Sequence, residues 1–393
     1  MSTLPRHLTE LIGRSVNDVD TPALVIDLDA MKRNLARMAE FAKKHAIRWR
    51  PHAKTHKSVA LAKMQIKAGA VGVCVQKTAE AEAMVAGGVH DVYISNEVIA
   101  PGKLARVAAL AQRVAAHGGQ LAIAVDSTEG VIRLAQAMNE ARMRNGVGTV
   151  IDVFVEIDVG QGRCGVEPGA AAVTLALEIR KHPALRLAGL QAYHGKAQHL
   201  RSAQDRRDAI AKAVEAVLRT RQLIEAQGMM VGLVTGAVTG SLVLEAASGA
   251  YGELQAGSFM FMDADYAKNE RDPAQPQFEH ALFVKTQVIS THSGHAVCDA
   301  GHKSHAIDSG MPLVYALSAD NALDYVNGGD EHGILRPGRD GARLPGLGRM
   351  LWLIPGHCDP TVNLHDVMIG VSGGLHNGMV HRIYKVDARG AVT

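Results

Sequence analysis

In the stretch RPHAKTHK a lysine, Lys54, stands between His52 and His56, just after the strand-like run Ile47-Arg48-Trp49-Arg50 and a proline. Two chemistries suit such a segment. It is either a solvated, anion-binding basic turn, or it carries an amine that attacks a carbonyl once partly desolvated, with nearby cations lowering its pKa further. A second candidate lies far downstream, where PGHCDPTVNLHD sets His357 and Asp359 two apart. In an extended segment alternate residues share a face, so imidazole and carboxylate could point at one ion, with Cys358 turned away. Such a pair is either a structural hydrogen bond or two ligands of Mn²⁺, Mg²⁺ or Zn²⁺, whose shell water or substrate would complete.

Positioning these groups falls to a regular alternation. Short apolar runs at 23–29, 47–53, 70–76, 91–96, 120–126, 150–160, 185–193, 231–236 and 253–263 are each followed by a turn and an amphipathic helical pattern such as DRRDAIAKAVEAVLRTRQLIEAQ. This pattern predicts parallel βα units closing into a (β/α)8 TIM barrel. Nine runs exceed the eight such a barrel takes, so the first or the last must pair outside it. From about residue 275 the rhythm changes to strands and Gly-rich turns without a long helix, which predicts an antiparallel β domain. The expected organisation is a barrel over 22–270 and a β domain formed by 1–21 and 271–393.

Barrel strands deliver their C-terminal residues to one mouth. Here those ends carry Lys54 and His56, then Gln76, Asn96, Asp158 with Arg163, and Tyr193 with His194. The late turn TGAVTGS (235–241) is rich in small residues, so its backbone N–H groups can converge on a phosphate. A lysine facing a phosphate cradle across a barrel mouth is what pyridoxal phosphate requires.

Bulk properties narrow the class. At 393 residues the chain exceeds a single ordinary core. A formal charge of +3 from nearly balanced acids and bases gives no reason to expect a nucleic-acid partner. No apolar run is long enough to span a membrane, and charges stand where a secretion signal needs an apolar core, so a cytoplasmic protein is expected. Cys74, Cys164, Cys298 and Cys358 form no C-x-x-C pair and read as reduced thiols.

TPALVIDLDA, RPHAKTHK, GAVGVCVQK, EIDVGQGRCGV, LQAYHG, ELQAGSFMFMDADY and IPGHCDPTVNLHD together resemble the D-threonine aldolase and D-serine dehydratase group of fold-type III pyridoxal phosphate enzymes, from about residue 20 to the C-terminus. That resemblance implies an alanine-racemase-like barrel with a β domain, usually paired as a homodimer acting on small amino acids. It makes Lys54 the Schiff-base lysine and His194 the catalytic base. Arg163 is expected near the pyridine nitrogen, Gln76 and Tyr193 near the ring, and Gly236, Thr239, Gly257 and Ser258 at the phosphate. His357 and Asp359 become ligands of a divalent metal, Mn²⁺ foremost. Dehydratase relatives carry a thiolate where Asp359 stands, which favours the aldolase branch (D-threonine and 3-hydroxy-D-aspartate aldolases) over a D-serine or D-3-hydroxyaspartate dehydratase. A non-catalytic pyridoxal phosphate carrier is disfavoured by the C-terminal β domain. Lys196, Val238 and His302 depart from the group's pattern. The turn Asp330-Glu331-His332 is a candidate to support the metal ligands.

Overall fold

The computed structural model describes residues 4–315, 322–340 and 342–393. Nine strands alternate with helices in the first two-thirds of the chain: β1 (Ala23–Asp27), β2 (Arg48–Trp49), β3 (Val73–Val75), β4 (Asp91–Ile94), β5 (Gln120–Val125), β6 (Ile151–Glu156), β7 (Leu185–Ala192), β8 (Leu233–Gly236) and β9 (Glu253–Leu254). Strands β2 to β9 form an eight-stranded sheet in the order β2-β9-β8-β7-β6-β5-β4-β3. A parallel bridge between His52 and Cys74 joins its two ends, so the sheet curls into a barrel. All six residues of β6 are buried. Helices cover the outside of such a sheet and side chains fill the inside, which is why parallel strands read as unbroken apolar runs. Near the opposite end of the barrel, buried Arg50 pairs with Glu253 and Asp91, tying β2 to β9 and β4.

The remaining strands are β10 (Leu282–Thr291), β11 (Ala296–Cys298), β12 (Leu313–Val314), β13 (Leu323–Asn327), β14 (Gly333–Pro337), β15 (Met350–Ile354), β16 (Val367–Ser372) and β17 (Met379–Lys385). They build a second, mostly antiparallel sheet. It takes in β1, which lies inside the range expected for the barrel but pairs antiparallel with β10 and parallel with β16. β1 is thus the ninth run that the barrel could not hold. The N-terminal segment is strapped to the same sheet, where the buried Lys285 ammonium donates to the carbonyls of Val16, Asn17 and Val19.

One core joins the two sheets. Asp27 ends β1 and accepts from the N–H groups of Asp29 and Ala30, capping the helix Leu28–Lys44. That helix buries Met31, Leu35, Met38 and Phe41 in a cluster with Trp49 and Leu61 from the barrel side, Phe259 and Phe261 after β9, and Leu282, Leu353 and Cys358 from the β domain. Truncating a fully buried member such as Met38 to Ala would cost about 2–5 kcal/mol, and the loss would loosen the seating of one half on the other.

Candidate active site

Lys54 lies in a short 3-10 turn, Ala53–Thr55, directly after β2. His52 accepts from the Lys54 N–H through Nδ1, while its Nε2 faces Gln76 Oε1 and Ser95 Oγ, both at 3.2 Å. Burial, with the Lys54 charge beside it, holds the His52 imidazole well below its ordinary pKa, so it stays neutral. His56 is a core residue: Nε2 meets Gln65 Oε1 and Nδ1 accepts from the Ser58 N–H. Behind the turn, Lys57 pairs with Glu80 at 2.9 Å, and Glu80 accepts from the N–H groups of Gln76 and Lys77. The basic run thus reads as three buried, partnered side chains surrounding one lysine, not as a solvated patch.

Lys54 itself is 37 % exposed and faces the mouth, where Nζ lies 3.7 Å from Asp359 Oδ2. Burial lowers the pKa of its amine and Arg163 opposes protonation, but Tyr193 and Asp359 outweigh them and leave it above the ordinary lysine value. The expected depression by neighbouring cations is therefore corrected: Tyr193, followed by Asp359 from the β domain, prevails over Arg163 and burial. Arg163 lies over the Tyr193 ring, 5.5 Å from its centroid.

The small-residue turns lie across from this lysine. Gly236 ends β8, and Ala237 follows with a φ of 71°, a left-handed conformation that strains a residue with a Cβ. Thr239 Oγ1 accepts from the Phe259 N–H, stapling this turn to the one that begins at Gly257. A Cβ at Gly257 would stand 2.7 Å from both His52 O and Thr55 Oγ1, so only glycine lets the turn approach Lys54's own. The buried Thr55 hydroxyl has no partner there. Ser258 is buried in the short turn Ser258–Met260 that follows Gly257. A cation, an aromatic ring, a free hydroxyl and two stapled turns around one amine fit pyridoxal phosphate.

His357 and Asp359 come together by a different local structure from the one expected. The segment is not extended: His357 caps the helix Cys358–Asn363, and Asp359 is in its first turn. His357 Nε2 lies 4.0 Å from Asp359 Oδ2. Cys358 does turn away, buried, with Sγ 3.4 Å from Met262 O. The buried Asp263 carboxylate accepts from the N–H groups of Cys358 and Tyr266, which fixes the segment. Two features fit a divalent cation. Asp359 Oδ1 is buried with no partner, and His357 Nδ1 is held by Asp308 Oδ2 at 2.8 Å, leaving Nε2 to face Asp359. Burial opposes protonation of His357, yet Asp359, Asp308 and Asp263 together raise its pKa, as three nearby carboxylates should.

Asp308 was not singled out in the sequence; it lies in an irregular loop whose only signal was proximity in GHKSHAIDSG. The expected support from Asp330-Glu331-His332 is corrected. Asp330 pairs with His302 and Lys303, and Glu331 with Lys303, so these carboxylates tie the β13–β14 turn to the loop after β11.

His194 follows β7 and caps the turn Gly195–His199. Burial lowers its pKa, Asp158 raises it and Lys196 lowers it, so the net shift is downward. Its Nδ1 is buried without a partner.

Residues 26–265 match the family described as alanine racemase, N-terminal domain, and residues 281–371 match the serine dehydratase domain. The chain is 42 % identical over 379 residues to the D-threonine aldolase of Arthrobacter sp, covering 96 % of this chain and 95 % of that one. It is 40 % identical over 386 residues to the 3-hydroxy-D-aspartate aldolase of Paracoccus denitrificans (strain Pd 1222), covering 97 % and 95 %. Superposition on the crystal structure of D-threonine aldolase from Filomicrobium marinum gives a TM-score of 0.91 at 45 % identity, covering 97 % of this chain and 99 % of that one.

Proposed function

We infer, from the premise that this chain belongs to the D-threonine aldolase family of alanine-racemase-type proteins, that it cleaves β-hydroxy-D-α-amino acids to glycine and an aldehyde. The observation that carries this reading is the approach of Lys54 in the barrel to Asp359 in the β domain, at 3.7 Å, beside an Asp359 oxygen left without a partner.

Bound pyridoxal phosphate would supply an electron sink at Cα, and a divalent metal, Mn²⁺ by preference, would supply Lewis acidity at the β-hydroxyl. Lys54 is the amine that would hold the cofactor covalently. Arg163 would meet its pyridine nitrogen, Gln76 and Tyr193 would lie near its ring, and Gly236, Thr239, Gly257 and Ser258 would take its phosphate. His357 Nε2 and Asp359 would hold the metal. His194, neutral near pH 7 because burial depresses it, takes the proton from the β-hydroxyl oxygen. The C–O bond becomes C=O as Cα–Cβ breaks, the aldehyde leaves, and Cα takes a proton to give glycine.

A homodimer is part of the same reading, since a second copy would close the open side of the mouth; sedimentation velocity tests it. Four free cysteines support a reducing compartment, and with it the cytoplasm. No helix among the described residues is long and apolar enough to cross a membrane.

Product analysis tests the reaction. Protein loaded with pyridoxal phosphate and Mn²⁺ should convert D-threonine, D-phenylserine or D-3-hydroxyaspartate to glycine and the matching aldehyde in equal amounts. Ammonia and a keto acid would instead make it a β-eliminating dehydratase on the same scaffold.

A further inference from the structure

The loops that follow β6 and β7 form one platform. Asp158 accepts from the N–H groups of Gly160 and Gly162, folding the first loop tightly on itself. Gln161 Oε1 accepts from the Lys196 N–H at 2.8 Å and stitches the second loop to the first. Two side chains of the second loop thereby lie over two glycines of the first. A Cβ at Gly160, where φ is 122°, would stand 2.7 Å from His194 Nε2. A Cβ at Gly162 would stand 3.2 Å from Lys196 Nζ. Imidazole and ammonium are neighbours on this platform, and the ammonium acts on the imidazole electrostatically. Lys196 is exposed, and among the described residues no carboxylate lies within ion-pair distance of its Nζ.

For His194 to take the β-hydroxyl proton, the β-carbon must come to this platform, and its other substituent comes with it. An alkyl group gains nothing from an unpaired ammonium, and an aryl group at an exposed site only a weak cation–π attraction. A carboxylate gains a charge-assisted contact, which is among the stronger polar interactions available. We propose that Lys196 reads the β-substituent and favours β-hydroxy-D-α-amino acids whose side chain is anionic, an assignment that rests on the aldolase reading above. Lys196 is a specificity residue here and takes no part in bond breaking.

The test compares kcat/KM for D-3-hydroxyaspartate and for D-threonine in the holoenzyme, in Lys196→Met and in Lys196→Arg. The ratio of the two should fall about tenfold or more in Lys196→Met, as for loss of one charged contact, chiefly through KM. It should be largely retained in Lys196→Arg. Calorimetric titration of the same proteins with D-aspartate and D-2-aminobutyrate, which lack a β-hydroxyl and cannot be cleaved, should show the same loss for D-aspartate alone. An unchanged ratio together with unchanged D-aspartate binding makes Lys196 a solvated surface charge and overturns the proposal. A wild-type protein that cleaves neither substrate defeats the aldolase reading instead, and the D-aspartate titration still decides the role of Lys196.

Discussion

Lys54 Nζ and Asp359 Oδ2 lie 3.7 Å apart although one group stands in a turn after the second strand of the chain and the other in the first turn of a helix near its C-terminus. Neither sheet alone makes the site. The helix Leu28–Lys44 and the core it shares with Phe259, Leu353 and Cys358 hold the barrel lysine and the β-domain carboxylate at that distance. Lys54→Ala should therefore lose the visible absorption band of bound cofactor and yield no cofactor-modified peptide after borohydride reduction, while keeping its melting temperature within a few degrees. A reduced adduct on another lysine would remove Lys54 from its role.

Asp308 should govern metal affinity without touching the metal. It orients His357 through Nδ1, and loss of such a partner typically weakens metal binding by about 10–100-fold. Asp308→Asn should need correspondingly more Mn²⁺ for half-maximal activity and reach nearly full activity at saturation. A lowered plateau with an unshifted metal requirement would contradict this.

The acid limb of the pH profile should report His194. Burial depresses its pKa, so protonation that disables the base sets in below the ordinary histidine value of about 6.5. kcat/KM should hold through pH 6.5 and fall at lower pH, with His194→Asn reducing the rate by about 10²–10⁴-fold. A limb centred above pH 7 would argue against His194 as the base.

Glu156, which ends β6 within the field of Arg163, offers a test of stability separate from catalysis. Burial, the charge of Glu97 and a hydrogen bond to it push the Glu156 carboxyl up to about 9. In the unfolded chain it ionises near 4.3. Between those values the unfolded state binds fewer protons than the folded one, so stability falls as pH rises through the window. Glu156→Gln removes that slope. Its melting temperature should exceed the wild-type value at pH 8, with the gap closing toward pH 5. Parallel melting curves across that range would refute the assignment.

The barrel was legible because parallel strands covered on both faces become apolar runs, and the helices between them carry clear 3.6-residue patterns. The fate of β1 was not, since Ala23–Asp27 has the same apolar character whichever sheet it joins; only counting to nine flagged it. Residue type made Lys54 and the His357–Asp359 pair candidates, but their roles came from the family resemblance, and the pair meets through a helix start and not through the extended spacing expected. Asp308 and Asp263 could not be singled out, because they reach His357 and Cys358 through tertiary contacts from loops without periodicity. The same limit explains why Asp330-Glu331-His332 looked available to the metal pair when its carboxylates are committed to His302 and Lys303.

Removal of the metal tests the central claim most directly. If His357 and Asp359 are its two protein ligands, as proposed, with one carboxylate oxygen otherwise unpartnered, the ion should exchange freely. After exhaustive dialysis against EDTA, cleavage of D-threonine should stop while the absorption band of Lys54-bound cofactor persists, and added Mn²⁺ should restore glycine and aldehyde formation; Asp359→Ala should behave like the dialysed protein and not recover. Full cleavage after dialysis, with no metal found by elemental analysis, would contradict the account and leave His194 to act without a metal partner.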